Sequence, residues 1–124
     1  MIKIVLIDDD PISTFVTEKL IHKNLDFPCE IFTYDNASDA LKDIYKIDPN
    51  YLFLDLNMPN MTGWDFLEEF DPKNETPEIY ILSSSVDERD INKANEYQHV
   101  KKYLSKPLVK QYIKSIFENK EKLN

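Results

Sequence analysis

The sequence predicts an α/β domain in which one parallel sheet of five strands is packed on both faces by helices. Short apolar runs alternate with segments whose apolar residues recur at helical spacing, giving five βα units in succession. Several of the runs are continuous rather than alternating, as expected of parallel strands covered on both faces. The connections between units are short, which favours right-handed crossovers. At 124 residues the chain has the size of one compact domain able to bury a core.

Ile4 to Ile7 is the first strand, and Asp10-Pro11 starts a helix with Asp as N-cap and Pro at the first helical position. Ile12, Phe15, Val16 and Leu20 follow at helical spacing. Glu30 to Tyr34 is the second strand. Asn36 then caps a helix whose buried stripe is Ala37, Ala40, Leu41 and Ile44, and Pro49 stops it. Tyr51 to Leu54 and Ile79 to Leu82 are the third and fourth strands, separated by a short helix around Gly63 to Phe70. Asp87 to Tyr97 reads as a weakly amphipathic helix with Ile91 and Ala94 inward. Lys102 to Leu104 is the fifth strand, and Val109, Tyr112, Ile113, Ile116 and Phe117 form the stripe of a last helix. The lysine-rich end, Lys120 to Lys122, reads as a fraying helix terminus. Gly63 is the only glycine, so it meets a backbone need such as a left-handed conformation or a close approach.

Composition narrows the function classes. With 42% hydrophobic and 31% charged residues the chain reads as an ordinary globule. A net charge of -8 argues against nucleic acid as a direct partner, because phosphate backbones are held mainly by Lys and Arg; it suits a cation or a partner with a basic surface. No apolar stretch approaches the roughly 20 residues of a membrane helix, and Met1-Ile2-Lys3 runs straight into a strand without a signal peptide. The one cysteine, Cys29, has no internal disulfide partner, which fits a reducing cytoplasm.

Three of the apolar runs end in chemistry. Asp8-Asp9-Asp10 closes the first, Asp55 the third, and Ser105-Lys106-Pro107 the fifth. Open parallel sheets place their ligands at the carboxyl ends of the strands, so these groups form one polar site. Parallel strands lie about 4.8 Å apart, so the acids of the first and third strands meet only if those strands are neighbours. Carboxylates about 5 Å apart repel by roughly 3 kcal/mol per pair at an effective dielectric near 20, which calls for a cation. An all-oxygen set with few protein ligands suits Mg²⁺, which keeps waters and accepts phosphate oxygens. Lys106 adds a mobile point charge, and Ser83, closing the fourth strand, adds a hydroxyl donor. A carboxylate so surrounded is a competent nucleophile for an aspartyl phosphate.

The combination of Asp8-Asp9, Asp55 with Met58-Pro59 and Gly63, Ser83 after an apolar strand, Tyr103, and Lys106-Pro107 resembles the response-regulator receiver domain of two-component signalling over essentially the whole chain. The resemblance implies a flavodoxin-like fold with strand order 2-1-3-4-5, which makes the first and third strands neighbours. It implies phosphorylation at Asp55, direct Mg²⁺ ligation by Asp9, a role for Asp8 mainly through metal-bound water, and completion of the metal site by the Asn57 backbone carbonyl. Ser83 would contact the phosphoryl group, Lys106 would pair with Asp55 before phosphorylation and with the phosphoryl group after it, and Tyr103 would turn inward when the hydroxyl is drawn to the phosphate. Asn57 and Ser85 occupy the positions that in the resembled family tune how long the acyl phosphate lasts. The glycine usual between the fourth helix and fifth strand is absent from Tyr97-Gln98-His99-Val100.

The partners so implied are a histidine kinase or histidine phosphotransfer protein and a downstream protein docking on the fourth helix, fifth strand and last helix. The chain reads as a single receiver domain, 1–124, with no effector domain. Two other classes share some of its features: a receiver-like binding module working without phosphorylation, or a phosphatase of the haloacid-dehalogenase type. The latter carries its nucleophile in a D-x-D-x-T/V motif on the first strand, and here Ile12 stands where Thr or Val belongs. Phosphorelay intermediate and direct regulator remain alternatives within the receiver class. Asp10 is assigned to helix capping, and within Ser83-Ser84-Ser85 the first serine is preferred over its neighbours.

Overall fold

The structure, a computed structural model, describes residues 1–123, with side chains as far as Phe117. Lys120 to Lys122 lie outside the residues whose side chains are described. The elements alternate as β1 (Ile2–Ile7), α1 (Pro11–Asn24), β2 (Cys29–Tyr34), α2 (Ala37–Ile47), β3 (Tyr51–Leu54), α3 (Gly63–Glu69), β4 (Glu78–Ser83), α4 (Glu88–Ala94), β5 (Val100–Ser105) and α5 (Lys110–Leu123). The strands are all parallel, in the order β2-β1-β3-β4-β5.

Alternation along the central strands feeds two cores. Val5, Ile7, Leu52, Leu54 and Ile81 point to the face covered by Ala40 and Ile44 of α2, Phe66 of α3 and Ala94 of α4. Ile4, Leu6, Tyr51, Phe53 and Leu104 point to the face covered by Ile21 of α1 and by Ile113 and Phe117 of α5. Every residue of β3 is therefore buried, which explains why its sequence is apolar without alternation. Each fully buried Ile or Leu contributes about 1.5–3 kcal/mol, so the central strands are held firmly enough to carry polar groups at their ends.

Caps fix where the helices begin. Asp10 Oδ1 accepts a hydrogen bond from the Ile12 N–H at 3.0 Å, with Pro11 at the first helical position. Asn36 caps α2 through the Asp39 N–H, and Thr62 and Asp65 form a reciprocal capping box on α3. At the other end of α2 the chain turns through Asp48 in the left-handed conformation, φ 53°, ahead of Pro49. Gly63 is not left-handed; its need is close approach. A Cβ there would lie 2.5 Å from the Asp55 carbonyl oxygen and 2.8 Å from Leu56 Cα, so α3 starts pressed against the end of β3.

Three local features depart from the sequence reading. In α1 the inward residues are Thr17 and Ile21, whereas Ile12 and Phe15 are 73% and 61% exposed and Val16 is exposed too. The apolar spacing marks the helix correctly, but of that set only Leu20 packs against the core, while the Lys19 ammonium lies 5.4 Å from the Phe15 ring centre. α4 ends at Ala94 rather than Tyr97. Its last turn tightens into short-range bonds, Glu96 N–H to Lys93 O and Tyr97 N–H to Ala94 O, both at 3.1 Å. Asn95 stays right-handed and no residue from there to Val100 has positive φ, so this exit needs no glycine. β5 is longer than expected, and a register shift against β4 between Ile79 and Tyr80 leaves Lys101 as the extra residue on the sheet edge. No helix among the described residues is long and apolar enough to cross a membrane.

Candidate functional site

The sheet register builds the site. Ile7 pairs with Leu54, and the Asp55 N–H donates to the Ile7 carbonyl at 3.0 Å, so Asp8 and Asp55 leave neighbouring strands at the same level. Ser83 pairs with Ser105 across β4 and β5, and the Lys106 N–H donates to the Ser83 carbonyl at 2.8 Å, which brings the lysine to the same end. The Asp8 N–H donates to the Tyr34 carbonyl, tying the loop after β1 to the end of β2.

Four sequence-predicted side chains converge there. Carboxylate oxygens of Asp8, Asp9 and Asp55 lie within 4.8 Å of one another. The Lys106 ammonium donates to Asp8 Oδ2 at 2.8 Å and stands 3.8 Å from Asp55 Oδ2. Its close partner in this state is thus Asp8, with Asp55 second, because one ammonium is shared by two buried carboxylates that face each other. Asp8 and Asp55 are buried while Asp9 is exposed, so the cluster has an open side.

Burial is the largest influence on Asp55 and pushes its pKa up to about 6. The Lys106 charge and the Asn57 N–H, 3.4 Å from Oδ1, pull it down, while Asp8 and Asp9 push it up. The opposing charges leave ionised Asp55 under-compensated. That donor set fits a hard divalent cation, since three carboxylates gather within 4.8 Å of one another, the one ammonium bridges only Asp8 and Asp55, and all the side-chain donors are oxygens. Asn57 lies in the exposed loop after Asp55.

Ser83 is buried at the end of β4, and its Oγ accepts the Ser85 N–H at 3.2 Å and lies 3.4 Å from Ser85 Oγ. Ser84 and Ser85 are exposed. Tyr103 is half-buried against the core under α2, α3 and α4, and its hydroxyl donates to the Ser85 carbonyl at 3.0 Å. The ring is therefore already held on the β4–α4 loop rather than starting in solvent, because that carbonyl gives its hydroxyl a partner. Asp10 is not part of the constellation. Its carboxylate faces the first turn of α1, and the Asp10 N–H donates to Asp8 Oδ1 at 3.0 Å, which orients the Asp8 carboxylate. A D-x-D pair acting together from the first strand is thus not formed by Asp8 and Asp10.

Trp64, which the sequence does not single out, forms an assembly on the face of α3 and α4. The Trp64 ring stacks on Tyr97 with centroids 6.0 Å apart, and Lys93 Nζ lies 4.6 Å over the Trp64 ring. The Tyr97 hydroxyl donates to Glu68 at 2.5 Å, which raises its pKa to about 12. Trp64 and Glu68, like Lys93 and Tyr97, are spaced by four residues, the one signal available beforehand.

Comparison with known proteins agrees with this geometry. Residues 4–118 match the response regulator receiver domain family. The chain is 30% identical over 108 residues to the transcriptional regulatory protein BtsR of Escherichia coli K12, covering 87% of this chain and 43% of that protein. It thus spans less than half the length of this curated relative. A two-component response regulator from Legionella pneumophila superposes with a TM-score of 0.83 at 25% identity, covering 98% of this chain and 99% of the other. One from Cytophaga hutchinsonii gives 0.80 at 26% identity with 94% of each chain covered. The chain belongs to the receiver domains of two-component response regulators, whose standard role is phosphorylation-dependent switching.

Proposed function

We propose that Asp55 is the phosphoacceptor of this receiver and that the surrounding side chains perform the transfer. The observation that carries this is the position of Asp55. It is a buried carboxylate at the end of the central strand, facing Lys106 on one side and the acid pair on the other. An Asp55 carboxylate oxygen attacks the phosphorus of a donor phosphohistidine, the new O–P bond forms as the N–P bond breaks, and the imidazole leaves with a proton. Asp8 and Asp9 would hold Mg²⁺, with Asp55 and the Asn57 carbonyl, and the ion supplies charge neutralisation for the phosphoryl oxygens. Lys106, moving from Asp8, neutralises a second oxygen, and the Ser83 hydroxyl donates to a third. In hydrolysis a water oxygen attacks the phosphorus, the O–P bond to Asp55 breaks, inorganic phosphate leaves and the Asp55 carboxylate is restored.

Receiver domains work with histidine kinases and downstream targets, and the finer assignment for this chain is a kinase or phosphotransfer protein in the cytoplasm. Exposed Ile12, Phe15 and Val16, on the helix that begins beside Asp9, offer the donor an apolar place to dock. The output surface is that of α4, β5 and α5, reached through Ser83, Ser85 and Tyr103.

Incubation with acetyl phosphate and Mg²⁺ should add one phosphoryl group by intact mass, removable with hydroxylamine, and Asp55→Asn should abolish it. Undiminished uptake by that variant would remove Asp55 from the role.

A further inference from the structure

The two loops that flank Asp55 lead into two different helices, and those helices are fastened together at their far side. α3 begins at Gly63, jammed against the Asp55 carbonyl, and the next residue is Trp64. α4 begins at Glu88, five residues after Ser83, and is only seven residues long. Such a short helix has little stability of its own, so its position is decided by what it packs on. Its inner face supplies one small buried residue, Ala94. Its outer, C-terminal side is covered by the Trp64 ring, which takes Lys93 over one part of its surface and stacks on Tyr97. Glu68, one turn further along α3, accepts from the Tyr97 hydroxyl. Among the described residues the N-terminal side of α4 is tied only through the loop before it, where the Ser85 carbonyl accepts from Tyr103; Val86 is exposed and the Asp87–Arg89 ion pair lies within the helix's own first turn, with Arg89 in solvent.

We infer that Trp64, with Lys93, Tyr97 and Glu68, is a positioning assembly that fixes the C-terminal end of α4 to α3, so that α4 answers a change at Ser83 by pivoting about this end. The inference rests on the phosphoacceptor reading for what drives the pivot, but the fastening itself exists without phosphorylation. It gives Asp55 a second physical connection to α4, through Gly63 and Trp64, beside the one through Ser83. Because the Gly63 N–H donates to the Leu56 carbonyl at 3.1 Å, the start of α3 is tied to the end of β3, so the fastened end stays in place and displacement concentrates at Val86 to Arg89, just after the Ser85 carbonyl that Tyr103 holds.

Amide hydrogen exchange on the full chain, compared for wild type, Trp64→Leu and Trp64→Phe, tests the fastening. Trp64→Leu should speed exchange of the Asn95, Glu96 and Tyr97 amides by about ten-fold, the scale expected when stacking and cation–π contacts are lost. Amides of β3 and β4 should keep their rates, and Trp64→Phe, which retains a ring, should restore most of the protection. Beryllofluoride, a phosphoryl mimic, should shift amides of Ser83 to Arg89 in wild type and extend those shifts to Lys93 through Tyr97 in Trp64→Leu. Unchanged exchange in Trp64→Leu, or acceleration spread equally over the domain, would overturn the fastening. The same shift pattern in both proteins would overturn the pivot. Failure of beryllofluoride to bind at Asp55 would instead condemn the phosphoacceptor reading, and the pivot with it, while the exchange result stood.

Discussion

The two ends of this sheet are made of opposite materials. At the amino end, Tyr51 opens β3 and packs its ring 4.6 Å from that of Phe117, which in turn meets Phe27 at 6.4 Å, both edge-on. The backbone there is also paired, the Asn50 N–H donating to the Lys3 carbonyl and the Asn50 side chain accepting the Lys3 N–H, each at 2.9 Å. At the carboxyl end the same central strands finish in two buried carboxylates, a buried serine and a shared lysine. One end lowers the free energy of the fold by burying aromatic area. The other raises it by holding like charges together, and that unmet charge is what a bound cation would relieve.

The largest consequence lies at the aromatic end. Phe117→Ala should lower stability in urea unfolding by about 3–5 kcal/mol, since a fully buried ring is lost and two aromatic partners are left facing a cavity. A loss below about 1 kcal/mol would mean that the amino end does not carry the stability assigned to it.

A smaller effect of opposite sign is expected at the acid end. Burial raises the Asp55 pKa to about 6, so the folded protein holds that proton more tightly than the unfolded chain does. The resulting stability is fully present below the unfolded carboxylate pKa and is lost as pH rises through about 6. Asp55→Asn, which carries no charge at any pH, should therefore be more stable than wild type by roughly 1–3 kcal/mol at pH 7.5 in a chelator, with the difference closing near pH 4. Equal stabilities at both pH values would show that the carboxylates are not in conflict.

Much of the acid end was legible in the sequence because each part closes an apolar run. Asp8, Asp55, Ser83 and Lys106 are placed by strand periodicity, and strand ends in a parallel sheet converge. Asp10 and Asn36 were equally readable as caps. The orientation of α1 was not, because spacing fixes that Ile12, Phe15 and Val16 share a face but not whether that face meets the sheet; Thr17 and Ile21 occupy the inward positions. The exit of α4 was obscured for another reason. Short-range bonds from Glu96 and Tyr97 satisfy the helix end without the left-handed residue that a glycine would announce. Lys106 was expected on Asp55, yet sits nearer Asp8, a choice set by the balance of neighbouring charges rather than by chain position.

Mapping the phosphorylated residue asks whether the carboxylate under strain is also the one that reacts. Protein treated with acetyl phosphate and Mg²⁺, reduced with borohydride to convert the acyl phosphate to homoserine and digested, should carry the modification at Asp55 alone. Modification at Asp8 with Asp55 untouched would contradict this, and would point to nucleophilic chemistry on the first strand instead.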